Sequence, residues 1–180
     1  MRLTRSRATA AALAVSCAAA VGGGAVIAQG QAPVPPGPPT GTLEFEVTVR
    51  PGDFGVNRAF ARARGPHIGD VLALNGRITG PGALRGTVDA AQVITDQGNG
   101  RPNARGMRFG SRAYFDFGNG DTLIADAIIS PDESDRTGRV EEAIVGGTGR
   151  FAGARGVGAQ TRISDTRRES RSRFTFTFMP

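Results

Sequence analysis

The ionisable side chains of this 180-residue sequence narrow the chemistry that it can support. The sequence holds one cysteine, Cys17, and one histidine, His67. A single cysteine excludes an intrachain disulfide and a cysteine-rich zinc site, and a single histidine excludes a multi-histidine metal site. We therefore expect no metal site, and the candidate functional groups are carboxylates.

One candidate carboxylate is Asp126, which a predicted β-hairpin positions. The pair Asn119-Gly120 favours a two-residue type I′ turn, and that turn would set Ala113 opposite Asp126. The strand face that includes Asp126 is apolar and is predicted to point inward; it carries Phe115, Phe117, Ile124 and Ile128. A buried carboxylate must be paired or must have a raised pKa. Asp126 is therefore either paired with an arginine or tyrosine of a neighbouring strand, or it is a proton donor or ligand-orienting group in a cavity.

A second pair of carboxylates, Glu44 and Glu46, lies on a predicted strand at Thr42–Val49. Strict alternation directs Phe45 and Val47 inward and both glutamates outward, because successive side chains of a strand point to opposite faces. On this interpretation the glutamates are surface partners for arginine.

The elements that must position these groups are short β-rich segments separated by Gly, Pro, Asn and Asp. No window sustains apolar residues at helical spacing. We predict strands near Thr42–Val49, Val71–Ile78, Leu84–Thr95, Met107–Phe117, Thr122–Ser130, Val140–Val145, Gly156–Ser164 and Arg173–Phe178. Eight strands at this spacing predict an all-β fold, either a closed antiparallel barrel or a sandwich.

The segment from Ala143 to Gly156 is the most distinctive part of the sequence. A β-branched run reaches Gly146-Gly-Thr-Gly149, passes Phe151 and continues through Gly153-Ala-Arg-Gly156. Glycine permits positive φ and close backbone approach, so this spelling predicts a tightly folded connection between strands. We expect a short helical turn either here, around Gly149–Ala152, or around Asn57–Arg64, and we expect Phe151 to insert into the core.

The first 28 residues have the pattern of a secretory signal: early arginines, an Ala/Leu/Val run and small residues before Gln29. A retained membrane anchor is the alternative, although Gly22-Gly-Gly24 interrupts an apolar run already shorter than the ~20 residues of a membrane span. A lipoprotein acylated at Cys17 is a further alternative. We predict a signal peptide at 1–28, a proline-rich linker at 29–41, and a single domain at 42–180. The mature form is predicted to be secreted and to have no membrane span.

Charge gives little reason to expect nucleic-acid binding. The sequence from residue 29 on carries 19 arginines, no lysine and 16 carboxylates, a net charge near +3. With abundant Ala and Gly, this composition suggests the codon bias of a high-GC bacterium. The arginines are not clustered with stacking aromatic residues, as nucleic-acid recognition requires.

The spelling GGTGRFAGARG from Gly146 to Gly156 closely resembles the signature of the allene-oxide-cyclase-like and dirigent-like β-barrels. Weaker similarities follow in the right order at Ile68–Ile78, Gly120–Asp126 and Arg173–Phe178. The resemblance implies an eight-stranded antiparallel barrel, often trimeric, around an apolar cavity. It also implies that no metal or redox cofactor is needed.

The resemblance also implies a set of site residues. Glu46 matches a glutamate of the cyclase pocket, which would point it inward, in contrast to strict alternation. Leu72 and Leu74 match apolar wall residues. With the hairpin residues, this gives Glu46 and Asp126 as catalytic candidates; the candidate lining residues are Leu72, Leu74, Phe115, Phe117, Ile124 and Phe151.

Two classes of function are open. Allene oxide cyclases fold a reactive epoxide for ring closure, and dirigent proteins steer the coupling of phenoxy radicals. On that resemblance the protein is a secreted barrel that binds a small apolar ligand and steers its cyclisation or stereoselective coupling. As an enzyme it would be a cofactor-independent isomerase or cyclase. The alternative is a secreted binding or structural barrel with no chemistry of its own, since one fold hosts many functions.

Overall fold

The computed structural model describes residues 39–57, 67–98, 106–130 and 137–180, and no helix among them is long and apolar enough to cross a membrane. The predicted signal peptide, most of the predicted linker and nearly all of the alternative helical turn at Asn57–Arg64 lie outside these ranges. The strands are β1 (Gly41–Val49), β2 (Phe54–Asn57), β3 (Val71–Thr79), β4 (Arg85–Gln97), β5 (Met107–Asp116), β6 (Thr122–Ile129), β7 (Arg139–Gly147), β8 (Gly156–Asp165) and β9 (Ser170–Phe178). Short 3-10 turns occupy Pro51–Asp53, Pro81–Ala83 and Gly149–Phe151.

The strands form a closed antiparallel barrel. From β3 to β9 each strand pairs with the next, β9 pairs with β1, and β1 closes the sheet by pairing with β3. β1 lies along one half of β3, where Val47 is opposite Ile78, and β2 lies along the other half, where Val56 is opposite Leu72. β1 and β2 are thus two parts of one strand of the barrel, interrupted by the Pro51–Asp53 turn. Counted in this way, eight strands close the barrel. The predicted eight-stranded barrel is confirmed, and β2 is an addition that the sequence did not predict.

Aromatic rings fill the end of the barrel remote from β2. The Phe45 ring lies 5.3 Å from that of Phe115, edge to face, and 5.5 Å from that of Phe174, stacked, between ring centroids. Phe45, Phe115 and Phe176 are buried. Aromatic pairs at such separations stabilise a core beyond their area burial. This end of the barrel is therefore solidly packed.

The hairpin between β5 and β6 corrects the predicted register. Asn119 and Gly120 both have positive φ, of 57° and 81°, as the type I′ prediction requires. However, Gly118 is an extra residue with φ of 80°, and the Phe117 amide donates to the Asp121 carbonyl at 2.9 Å. This one-residue bulge shifts the pairing of the two strands by one. A shift of one residue moves every side chain of the partner strand to the other face of the sheet.

The corrected pairing reverses the predicted faces of β6. Phe115 is opposite Leu123, and both are buried. Ile124 and Ile128, predicted inside, lie on the outer face, where Ile128 is 67% exposed. The predicted inward position of these two isoleucines is therefore wrong.

The glycine-rich connection after β7 folds as predicted and docks on the β5–β6 turn. Phe151 is buried in the core. The Thr148 hydroxyl donates to the Gly120 carbonyl at 2.7 Å, and the Arg150 guanidinium pairs with Asp121 at 3.1 Å. The same guanidinium lies 4.8 Å from the centroid of the Phe151 ring. These contacts close the aromatic end of the barrel.

Candidate functional site

A cavity of about 190 Å³ occupies the opposite end of the barrel interior, where β1 ends and β9 begins. We call it the mouth cavity. Its lining residues are Val47, Val49, Phe54, Leu74, Val88, Ala90, Gln92, Ser111, Ala113, Phe115, Glu142, Gln160, Ser170, Ser172 and Phe174. The wall is mostly apolar, with Phe115 and Phe174 toward the aromatic core. A concave apolar wall with a few polar groups is the usual form of a small-molecule site.

Among these described lining residues, Glu142 alone can ionise. It faces inward because β7 alternates: Val140 and Ile144 lie on the same face, and Ile144 is buried in the core. Its Oε2 atom is shielded from solvent and has no hydrogen-bond partner. Burial raises the pKa of Glu142 from 4.5 to about 8, since desolvation disfavours the charged form. The side chain is therefore mainly a neutral carboxylic acid at pH 7.

The other polar groups of the cavity are neutral amides and hydroxyls. Gln160 donates from Nε2 to Oγ of Ser172 at 3.1 Å, which orients the amide. Gln92 and Ser111 are directly opposite each other on β4 and β5, and both line the cavity. These groups can hydrogen-bond a ligand without adding charge to the cavity.

Asp126 lies on the outer face of the barrel. It is opposite Arg112, whose guanidinium donates to both carboxylate oxygens at 2.7 Å. Hydrogen bonding to Arg112 holds the pKa of Asp126 below its usual value. The interpretation of Asp126 as a pocket carboxylate is therefore wrong, because the Gly118 bulge reverses the face on which it lies. The alternative interpretation, an ion pair with an arginine of a neighbouring strand, is confirmed.

Glu46 also points outward. Its Oε2 accepts from the Arg171 guanidinium at 2.5 Å, and its Oε1 lies 3.5 Å from that of Arg173. Both arginines are on β9, next to β1. Strict alternation predicted this orientation, and the inward orientation implied by the resemblance is wrong. Neither predicted catalytic carboxylate lines the mouth cavity.

Comparison with known proteins gives no match to a family model and no match among curated sequences. Solved structures do match. A pterocarpan synthase dirigent protein, GePTS1, matches with a TM-score of 0.56 and 22% identity over 76% of this chain and 87% of its own. The fold is that of the dirigent and cyclase barrels. The resemblance drawn from the Gly146–Gly156 signature is confirmed at the level of the fold.

Two further structures share this dirigent and cyclase barrel. A pyocyanin demethylase matches with a TM-score of 0.55 and 14% identity, over 77% of this chain and 99% of its own. The Diels Alderase AbmU from Streptomyces koyangensis matches with a TM-score of 0.54 and 15% identity, over 77% of this chain and 65% of its own. At these identities the similarity establishes the fold alone.

Within the barrel the predicted lining residues separate into four groups. Leu74 and Phe115 line the mouth cavity. Leu72 lies on the same face of β3 as Leu74, two residues closer to the rim. Phe117 and Phe151 instead pack together at the aromatic end, with ring centroids 5.3 Å apart. Ile124 is on the outer face, as described above.

Sequence reasoning missed Glu142, although a signal for it was present. Val140, Glu142 and Ile144 alternate along β7, so a carboxylate interrupts an otherwise apolar face. The inward position predicted for Asp126 depended on the hairpin register, which was wrong. For Glu142 the alternation of β7 alone predicts an inward carboxylate, and the structure has it there.

Proposed function

We propose that the protein binds a small, mostly apolar and uncharged molecule in the mouth cavity, where Glu142 hydrogen-bonds an oxygen atom of that molecule. One observation carries this proposal: the Oε2 atom of Glu142 is shielded from solvent and unpartnered in a cavity with an otherwise uncharged lining. A buried polar atom without a partner is costly, and a ligand that supplies one recovers that cost.

The protonation state of Glu142 selects the ligand chemistry. A neutral carboxylic acid donates one O–H hydrogen bond, so its natural partner is an acceptor such as a carbonyl oxygen. A ligand carboxylate would enter a cavity whose described lining residues include no cation, and burial of an unpaired charge is strongly unfavourable. An uncharged ketone, ester or ether therefore fits the site, and an acid does not.

The same contacts support a role in steering a reaction. A hydrogen bond from Glu142 polarises a carbonyl, and a closed apolar wall restricts the conformations of a flexible ligand. Two similar structures are named as a Diels Alderase and a pterocarpan synthase dirigent protein. We therefore propose that the protein steers the cyclisation or stereoselective coupling of its ligand, with Glu142 as the positioning acid.

Acetophenone and ethylbenzene test the binding proposal, because they share a ring and differ in the carbonyl. The mouth cavity, about 190 Å³, is slightly larger than an apolar cavity of ~150 Å³ that holds benzene. In NMR titrations at pH 6 we expect acetophenone to bind about two- to tenfold more tightly than ethylbenzene. This is the difference in affinity that one net hydrogen bond provides. The shifted signals should come from residues that line the mouth cavity.

Two variants provide the controls. Glu142→Leu removes the donor and should abolish the preference for the ketone while it keeps ethylbenzene binding. Asp126→Asn removes a carboxylate from the outer face and should change neither affinity. An unchanged preference in Glu142→Leu would contradict the proposal. Tighter binding of benzylamine than of acetophenone at pH 6 would also contradict it, because it would indicate a cationic ligand.

We also propose that the protein is exported and that its mature form begins at Gln29. The sequence from Met1 to Ala28, with early arginines and small residues before the cleavage point, supports this proposal. Intact-mass spectrometry of the culture medium of the native host should detect a chain that starts at Gln29. A full-length chain found only in the cytosol would contradict it.

A further inference from the structure

An exposed apolar surface continues the wall of the mouth cavity past its rim. Phe54 is opposite Leu74, and both line the cavity. Val56 is opposite Leu72, and because side chains alternate along a strand, both lie on that same face. We call Phe54, Val56 and Leu72 the lip. Phe54 is 52% exposed and Val56 is 64% exposed.

The lip is built by the interruption of the first strand. The chain leaves the barrel wall at the Pro51–Asp53 turn. It returns as β2, which pairs with the half of β3 at the mouth end of the barrel. Leu72 is two residues beyond Leu74 along β3, so the lip carries the apolar wall about 7 Å past the cavity. An apolar surface that continues a pocket is typical of a ligand-binding groove.

The size of the mouth cavity limits what it encloses. At about 190 Å³ it accommodates little more than one aromatic ring with a short substituent. A molecule that fits entirely inside would leave the lip in contact with water. A molecule with an additional apolar segment would cover Val56 and Leu72 as it leaves the cavity.

We propose that the ligand is elongated and amphiphilic: an uncharged head with an acceptor oxygen binds at Glu142, and an apolar tail lies along the lip. This inference rests on the function proposed above, since it places the head in the mouth cavity. It names the substrate class as ketones, enones or esters that carry an alkyl or polyene chain. The lip then selects chain length, and Glu142 selects the head.

Alkyl phenyl ketones test this inference, because the head stays constant while the tail grows. From acetophenone to octanophenone we expect the affinity of the full-length protein for the ketone to rise by about two- to fourfold per added methylene, until the alkyl tail covers the lip. Val56→Ser should lower octanophenone affinity by about three- to tenfold and leave acetophenone affinity unchanged. Val56 is exposed, so this variant should fold normally.

Ile128→Ser is the matched control. It removes an equally exposed apolar side chain from the outer face of β6, outside the mouth cavity and three strands from β3, and should leave both affinities unchanged. Octanophenone binding no more tightly than acetophenone would overturn the inference and leave the proposed function standing. If no ketone binds, the proposed function fails first. If sedimentation showed that the wild type self-associates and that Val56→Ser does not, the lip would be an interface between copies. That result would overturn the inference about the ligand tail.

Discussion

Glu142→Gln is expected to remove most of the pH dependence of stability between pH 5 and pH 9. In the wild type, burial raises the pKa of Glu142 from 4.5 to about 8. The folded state then binds a proton that the unfolded state releases, so wild-type stability falls as the pH rises through this window. Glutamine keeps the shape of the side chain without an ionisable group, and its stability should be nearly flat over the same range.

The expected effect is large. A pKa shift of this size corresponds to a loss of up to about 4 kcal/mol of unfolding free energy between pH 5 and pH 9. The loss should be nearly complete by pH 9, one unit above the folded-state pKa, where the carboxyl is mostly ionised. Urea denaturation at intervals of one pH unit measures it directly. At pH 9 the Glu142→Gln variant should therefore be more stable than the wild type.

Glu141→Gln is the matched control, because it makes the same chemical change at the next residue. The Glu141 side chain is 84% exposed on the outer face, so this variant should keep the wild-type pH dependence. If the unfolding free energy of Glu142→Gln fell with pH as steeply as that of the wild type, the interpretation would be contradicted. A carbon-13 NMR titration in which the Glu142 carboxyl ionises near 4.5 would also contradict it.

The fold was largely predictable from sequence because strand alternation and turn residues are local signals. The predicted strand Val71–Ile78 corresponds to β3 at Val71–Thr79, and the other predicted strands are present with similar bounds. β2 was not predicted, because four residues after Pro51 are too few to show a period. Its position beside β3 depends on pairing between distant parts of the chain.

The site was harder to predict because it depends on register. Asn119-Gly120 specified the turn type, yet it did not show that Gly118 would be left over as a bulge. That one residue puts Asp126 outside and Leu123 inside. Glu142 needed no hairpin argument, since its own strand alternates. A carboxylate on an apolar strand face thus predicts a site residue inside the barrel only where the alternation of its own strand, and not a hairpin register, shows that this face points inward.

Gly147→Ala should be among the most destabilising single substitutions in the signature. A Cβ atom built on Gly147 would lie 2.7 Å from the Cβ atom and the carbonyl oxygen of Phe151, and closer still to the Thr122 carbonyl. These are mostly backbone atoms, and the Thr122 carbonyl also accepts from the Thr148 amide at 2.8 Å. The strand must move to relieve the overlap. We expect a cost of about 3 kcal/mol, or roughly 10 °C in Tm.

The neighbouring glycine makes this prediction specific. A Cβ atom on Gly146 would meet only the Arg155 guanidinium, at 3.6 Å, and that side chain can move. Gly146→Ala should therefore melt at or slightly above the wild-type temperature, because alanine restricts the unfolded chain. If the two variants melt within 2 °C of each other, about the effect of 0.5 kcal/mol, close backbone packing does not explain the signature. A large loss in Gly147→Ala alone would show that the motif closes the barrel by close backbone packing, at the end opposite the mouth cavity that Glu142 lines.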